Sequence, residues 1–225
     1  MRRFTKLFVF WSLVFLSGPA LAGSEEAAVH NRTGAALVEQ GKTERAILEF
    51  QKALAADPGY SPARLNLAYS YEKAGRIEEA MTTYREAIGD QPRNFLAHNN
   101  LGVLYDQKGQ YELAIAEFEQ ALSIEPGNAM AQKNLENAKS SRAVTLARET
   151  QLARAEKTVE AKPSDPRASY AVARLHATYG NKDLALQWLG KALRQGYRDR
   201  ADVRADPAFQ HMRGEREFEL LLLNK

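Results

Sequence analysis

Residues 65–92, LNLAYSYEKAGRIEEAMTTYREAIGDQP, carry the pattern that decides how this chain folds. Leu65, Leu67, Ala68 and Tyr71 predict one apolar helical stripe, and Ile77, Ala80, Tyr84, Ala87 and Ile88 predict a second. Between the stripes, Gly75 can take the left-handed conformation that ends a helix. Pro92 lacks an N–H and stops the second helix. The stretch therefore reads as a helical hairpin. Its alanines let the two helices approach closely, while the aromatic fills the space between one pair and the next.

The same residues return at a fixed interval of 34. Gly41, Gly75 and Gly109 form one column, Ala46, Ala80 and Ala114 the next, and Phe50, Tyr84 and Phe118 the aromatic one. Ala53, Ala87 and Ala121 follow, and Pro58, Pro92 and Pro126 close the units. One hairpin cannot bury its own apolar face, so the units must stack side by side.

These columns resemble tetratricopeptide repeats, with units at about Ala27 to Tyr60, Ser61 to Asn94 and Phe95 to Asn128. The Leu-Gly pair of that family stands as Leu101-Gly102 in the third unit, as Leu67-Ala68 in the second and as Thr33-Gly34 in the first, the most degenerate. The resemblance implies an all-α solenoid of helical hairpins coiled into a right-handed superhelix, over residues 27–128. A further unit is expected at 164–196, where Gly180, Ala185, Leu189 and Ala192 reproduce the offsets that follow Gly41, with a first helix starting after Asp165-Pro166. The stretch 129–162 lacks the turn glycine, Ala143 standing in its place, and reads as one long connecting and capping helix or as a degenerate hairpin. Residues 197–225 resemble the end-of-group segment of some bacterial members. There Phe209, Met212, Phe218 and Leu221 suggest two short sealing helices.

The N-terminus has a different character. Arg2, Arg3 and Lys6 precede a nearly unbroken apolar run from Leu7 to Leu16 that is too short to span a bilayer, and Ala20-Leu21-Ala22 offers a cleavage point before Gly23. Residues 1–22 are expected to be a signal peptide, which places the mature chain in the periplasm or outside the cell; an uncleaved anchor is the alternative. The whole chain has 31 basic and 28 acidic residues, and losing those three cations leaves the two equal. The high pI thus gives no argument for a nucleic-acid partner. With no cysteine, disulfides, thiolate metal sites and cysteine nucleophiles are excluded.

A stack of such hairpins curves, and first helices line its concave side. Asn66, Asn100 and Asn134 occupy one register there, 34 residues apart. An amide side chain offers a donor and an acceptor together, which matches the backbone of an extended peptide. The bland reading is that these amides serve solvation or helix packing. Tyr69, Asn99, Val103, Asp106 and Gln107 are further groove candidates. The family's carboxylate clamp, which needs Lys and Asn in the first unit and Lys and Arg in the third, is not assembled: Asn31 and Arg32 stand in the first, Asn99 and Val103 in the third.

His30, His98, His176 and His211 are dispersed, so no metal is expected, and no phosphate loop, dinucleotide fingerprint or nucleophile elbow occurs. Trp188 reads as core, and Glu78-Glu79 and Arg198 to Arg204 as solvated charge. The chain is expected to be no enzyme, to use no cofactor or small-molecule substrate, and to act as an exported adaptor or scaffold that binds a protein or extended peptide. The second reading is a structural module of an envelope assembly that builds by self-association.

Overall fold

The computed structural model describes residues 19–223, so the expected signal peptide lies outside the described residues except for its last positions. Eleven α-helices and a 3-10 helix make up the described chain, with no strand among its residues. Two compact units divide it at residues 139 and 140.

The first unit contains three hairpins, α1 (Pro19–Glu39) with α2 (Thr43–Ala56), α3 (Ser61–Lys73) with α4 (Ile77–Asp90), and α5 (Phe95–Gln107) with α6 (Tyr111–Ile124). Each first helix ends on a left-handed glycine. At Gly75, φ 74°, the Gly75 N–H donates to the Glu72 carbonyl at 3.0 Å and the Arg76 N–H to that of Tyr71 at 2.9 Å. This pairing satisfies carbonyls that a helix end would otherwise leave open. Gly41 and Gly109 repeat it, with φ of 71° and 70°. At the start of α5, the Asn94 Oδ1 accepts from the Ala97 N–H at 3.0 Å.

Stacking buries the recurring columns in one core that runs from Ala27 to Ala138. Ala46, Ala80 and Ala114 are fully buried, as are Phe50, Tyr84 and Phe118. Each such ring contributes on the order of 2–3 kcal/mol through the apolar surface it removes from water. The Leu-Gly pair has a steric cause: a methyl group on Gly102 would lie 2.7 Å from Cε1 of Phe118, and one on Gly34 would lie 2.6 Å from Cε1 of Phe50. Ala68 stands at this place in the second hairpin, opposite Tyr84. There the phenol reaches past the core to polar partners, donating to Glu72 at 3.3 Å and accepting from Asn100 at 3.1 Å. Burial holds the Tyr84 phenol well above its ordinary pKa.

Helix α7 (Ala129–Ala161) is continuous over 33 residues. In the first unit its Ala131 is buried beside Phe95 and Ala121, and its Ala138 belongs to the main core. Residues 142–150, mostly exposed, contain the exposed Val144 and Leu146 and remain helical. Composition explains this, since Ala, Leu, Arg and Glu are strong helix formers.

The second unit adds α8 (Pro166–Thr178) and α9 (Lys182–Arg194), joined at Gly180 with φ 80°, then α10 (Arg200–Ala205), a 3-10 helix Pro207–Met212 and α11 (Arg216–Leu223). Asp165 caps α8, accepting from the Arg167 N–H at 2.9 Å. The closing segment therefore has three short pieces, where the sequence suggests two, because Asp206 and Pro207 open a separate 3-10 turn capped by the Asp206 Oδ1. Phe209, Met212, Phe218 and Leu222 are buried with Leu189 and Val203, and Leu221 is only half-buried. The Phe209 and Phe218 rings stack at 5.6 Å, and Tyr170 stacks on Tyr197 at 4.2 Å.

One carboxylate organises this closing segment. Asp206 accepts from the Tyr170 hydroxyl at 2.8 Å, the Arg174 Nε at 2.6 Å and the Ala208 N–H at 3.0 Å. Burial alone would push its pKa up, but those bonds to the ionised form outweigh burial and hold it below the ordinary carboxylate value.

Candidate peptide-binding groove

The exposed face of the first helices in the first unit carries the sequence-selected residues in registers three and four apart. On α5 that face holds Leu96, Asn100, Val103, Asp106 and Gln107, with Asn99 buried beside them; on α3 it holds Asn66, Tyr69 and Lys73; on α7 it holds Met130 and Asn134. Tyr69 is 39% exposed, and the Lys73 Nζ lies 4.9 Å from the centre of its ring. Val103 is half-buried against the core, and Gln107 is exposed.

The asparagines are partly committed inside the protein. The Asn66 Nδ2 donates to the Asn31 Oδ1 at 2.9 Å, joining α3 to α1, and the Asn134 Nδ2 donates to the Asn99 Oδ1 at 3.1 Å, joining α7 to α5. These are the same clasp, made twice between successive first helices. The Asn100 Nδ2 bonds the Tyr84 hydroxyl and its Oδ1 accepts from Asn99 at 3.2 Å, so a polar chain runs Glu72–Tyr84–Asn100–Asn99–Asn134. Asn99 is buried, while Asn66, Asn100 and Asn134 are half-buried. An amide has two donors and an acceptor oxygen, so Asn66 and Asn134 each keep one N–H and the Oδ1 for another partner. The clasps fix the direction in which those groups point.

Two further features complete the face. Leu96 and Met130, each 51% exposed, stand 34 residues apart on one edge of the asparagine rows, in register with Pro62. The sequence pattern assigns Met130, with Leu135 and Ala138, to covering the end of the third hairpin; Ala138 is buried and Leu135 half-buried there, but Met130 is exposed, and the pattern gives Leu96 no role. Asp106 has a buried Oδ1 that finds no donor in the protein. A buried acceptor left open in this way is uncommon and suits a donor brought by a ligand.

The histidines do other work. His30 Nδ1 lies 2.7 Å from a Glu49 oxygen and His98 Nδ1 lies 2.7 Å from a Glu117 oxygen, which ties first to second helix in the first and third hairpins. His98 Nε2 also meets the Pro92 carbonyl at 3.1 Å. His176 is buried in the second unit, which depresses its pKa. Among the described residues no group of three or more histidine or acidic side chains could hold a metal ion, and no described helix is long and apolar enough to cross a membrane.

Family models of the tetratricopeptide repeat match residues 37–102 and 95–128. Over residues 37–128 the chain therefore matches tetratricopeptide repeats. Curated protein sequences contain no match to it. Among solved structures it is similar to the first such domain of Spaghetti (RPAP3), solved with the HSP90 peptide SRMEEVD, at 25% identity and a TM-score of 0.52 over 53% of this chain and 95% of that one. The Arabidopsis OM64 domain superposes at 0.51 with 19% identity, covering 52% of this chain and 98% of its own. MamA residues 41-end from Desulfovibrio magneticus RS-1 superposes at 0.51 with 16% identity, over 76% of this chain and 95% of that one. The last two likenesses are of fold alone.

Proposed function

We propose that the protein is an exported adaptor that holds an extended segment of a partner polypeptide against the first-helix face of its first unit. The observation that carries this reading is the row of oriented amides, Asn66, Asn100 and Asn134, flanked by the exposed apolar side chains Tyr69, Leu96 and Met130. Amides match a peptide backbone irrespective of its sequence, and the apolar row offers seats for alternate side chains. The Spaghetti domain, of the same fold, was solved with a peptide, which supports peptide binding as the use of this fold. That peptide ends in acidic residues, whereas the clamp cations are missing here, so the segment bound by this chain is an internal, uncharged or mixed stretch.

Export rests on the basic start, the apolar run and Ala20-Leu21-Ala22. The Ser24 hydroxyl, just beyond that point, donates to Asp57 at 2.5 Å, which anchors the start of a mature α1 to the end of α2. N-terminal sequencing of the protein recovered from fractionated cells should begin at Gly23; a chain beginning at Met1 in the cytoplasm refutes export.

Binding is tested by capture. Tyr69→Ala with Leu96→Asp changes only exposed side chains, so the fold is retained while capture of the partner falls about tenfold, from the loss of roughly 1–2 kcal/mol of apolar contact. Undiminished capture by that variant would remove the groove from the account.

A further inference from the structure

The second unit has a recess that a first-helix groove does not explain. It lies between the last turns of α7, the turn at 162–165 and α9, has a volume of about 380 Å³, and is walled by Val159, Pro163 and the Trp188 ring. Its charged rim is acidic by two residues to one. Glu156 and Glu160, one turn apart on α7, present two carboxylates to it, and neither forms a salt bridge among the described residues. Behind Pro163, the Gln195 Nε2 donates to the Pro163 carbonyl at 2.6 Å, which leaves the Gln195 Oε1 buried without a donor.

Trp188 is half-buried: it packs on Val159, Ala168 and Val172 and also contributes to the recess wall. The one cation among the lining residues, Lys191, holds its Nζ 4.4 Å from the centre of the Trp188 ring. An aromatic face, two carboxylates and apolar walls are what a long basic side chain requires, the walls for its stem and the ring and acids for its head. Lys191 already fills that role from within.

We propose that this recess receives a lysine or arginine side chain of a partner polypeptide, with Lys191 occupying the Trp188 face until the partner displaces it. The site belongs to the second unit, on α9 and the last turns of α7, whereas the face proposed to hold a peptide backbone belongs to the first unit.

Trp11 and Trp188 are the two tryptophans of the chain, so Trp11→Phe in the full chain leaves Trp188 as the sole reporter. Its emission is followed during titration with N-acetyl-arginine amide, N-acetyl-lysine amide and the neutral isostere N-acetyl-citrulline amide. The cations should change the emission saturably and citrulline should not. Glu156→Gln with Glu160→Gln should weaken the response about fivefold, and Lys191→Met should strengthen it about fivefold by vacating the ring. A gain of binding cannot arise from a damaged fold, so the Lys191 variant keeps the test decisive even if the glutamine variant loosens α7. Equal responses to citrulline and arginine, or an affinity unmoved by Lys191→Met, would overturn the proposal.

Discussion

Gly102→Ala asks directly whether the aromatic column fills the space that the glycine leaves. An added Cβ would meet Phe118 at 2.7 Å (Cε1), 2.8 Å (Cδ1) and 3.1 Å (Cζ), all on a ring that is 1% exposed and has no free side to retreat to. Overpacking of this kind costs about 1–3 kcal/mol. Alanine in a helix interior returns about 1 kcal/mol over glycine. The net is a loss of about 1 kcal/mol, confined to the third hairpin. Because the chain has two compact units, a global melt would blur the effect, and native-state hydrogen exchange resolved at α5 and α6 is the suitable assay. Exchange of their most protected amides should quicken about fivefold. Phe118→Leu should cost about 1–2 kcal/mol alone through the void it leaves. In the double variant the two changes offset each other, with a coupling on the order of 1 kcal/mol. A Gly102→Ala protein that exchanges more slowly than the parent, with strictly additive double-variant behaviour, would refute the steric account of the Leu-Gly pair.

Other consequences follow from single contacts. Asn31→Ala should destabilise the first unit by about 1 kcal/mol, and adding Asn66→Ala should cost little more, since both remove one clasp; exchange protection in α1 and α3 reads this. Asp206→Ala strips partners from the Tyr170 hydroxyl, the Arg174 guanidinium and the Ala208 N–H, so the second unit should lose about 2–3 kcal/mol in a denaturant titration followed at Trp188. Glu49 has its pKa held below 4.5, first by the hydrogen bond from Lys52 and then by that from His30. A folded-state value below the unfolded one contributes stability that is present above pH 4.5 and is lost as pH falls through the lowered value. The stability gap between the parent and Glu49→Gln should therefore close on acidification below pH 4.5; a gap independent of pH across that range would contradict the assigned bonds.

Sequence made the hairpins visible because their requirements are local and categorical. Only glycine sits easily at the left-handed turns of Gly41, Gly75 and Gly109, and only a small residue fits opposite Phe118. The asparagine rows were equally visible, but their internal bonds were not. Asn31 with Asn66, and Asn99 with Asn134, lie 35 residues apart, one step off the repeat interval, and joining them requires knowing how one first helix rotates against the next. A core-seeking pattern discards Leu96, which stands on the wrong face, and it places Met130 on the core side of α7 because composition alone does not say which way a capping helix turns. Trp188 reads as core from its place beside Leu189. Its half-burial depends on a recess formed by residues 28 to 32 positions earlier in the chain, Glu156 and Glu160, which no periodicity encodes.

The central claim is that a partner lies across the first helices of the first unit and not across the second. Leu96 on α5 and Leu113 on α6 are nearly equally exposed, at 51% and 49%, and so form a matched pair for a photoreactive benzoylphenylalanine. Placed in turn at each position and irradiated with the captured partner, the probe at Leu96 should form the covalent adduct and the probe at Leu113 should not. Adducts at Leu113 alone, or equally at both, would contradict the account.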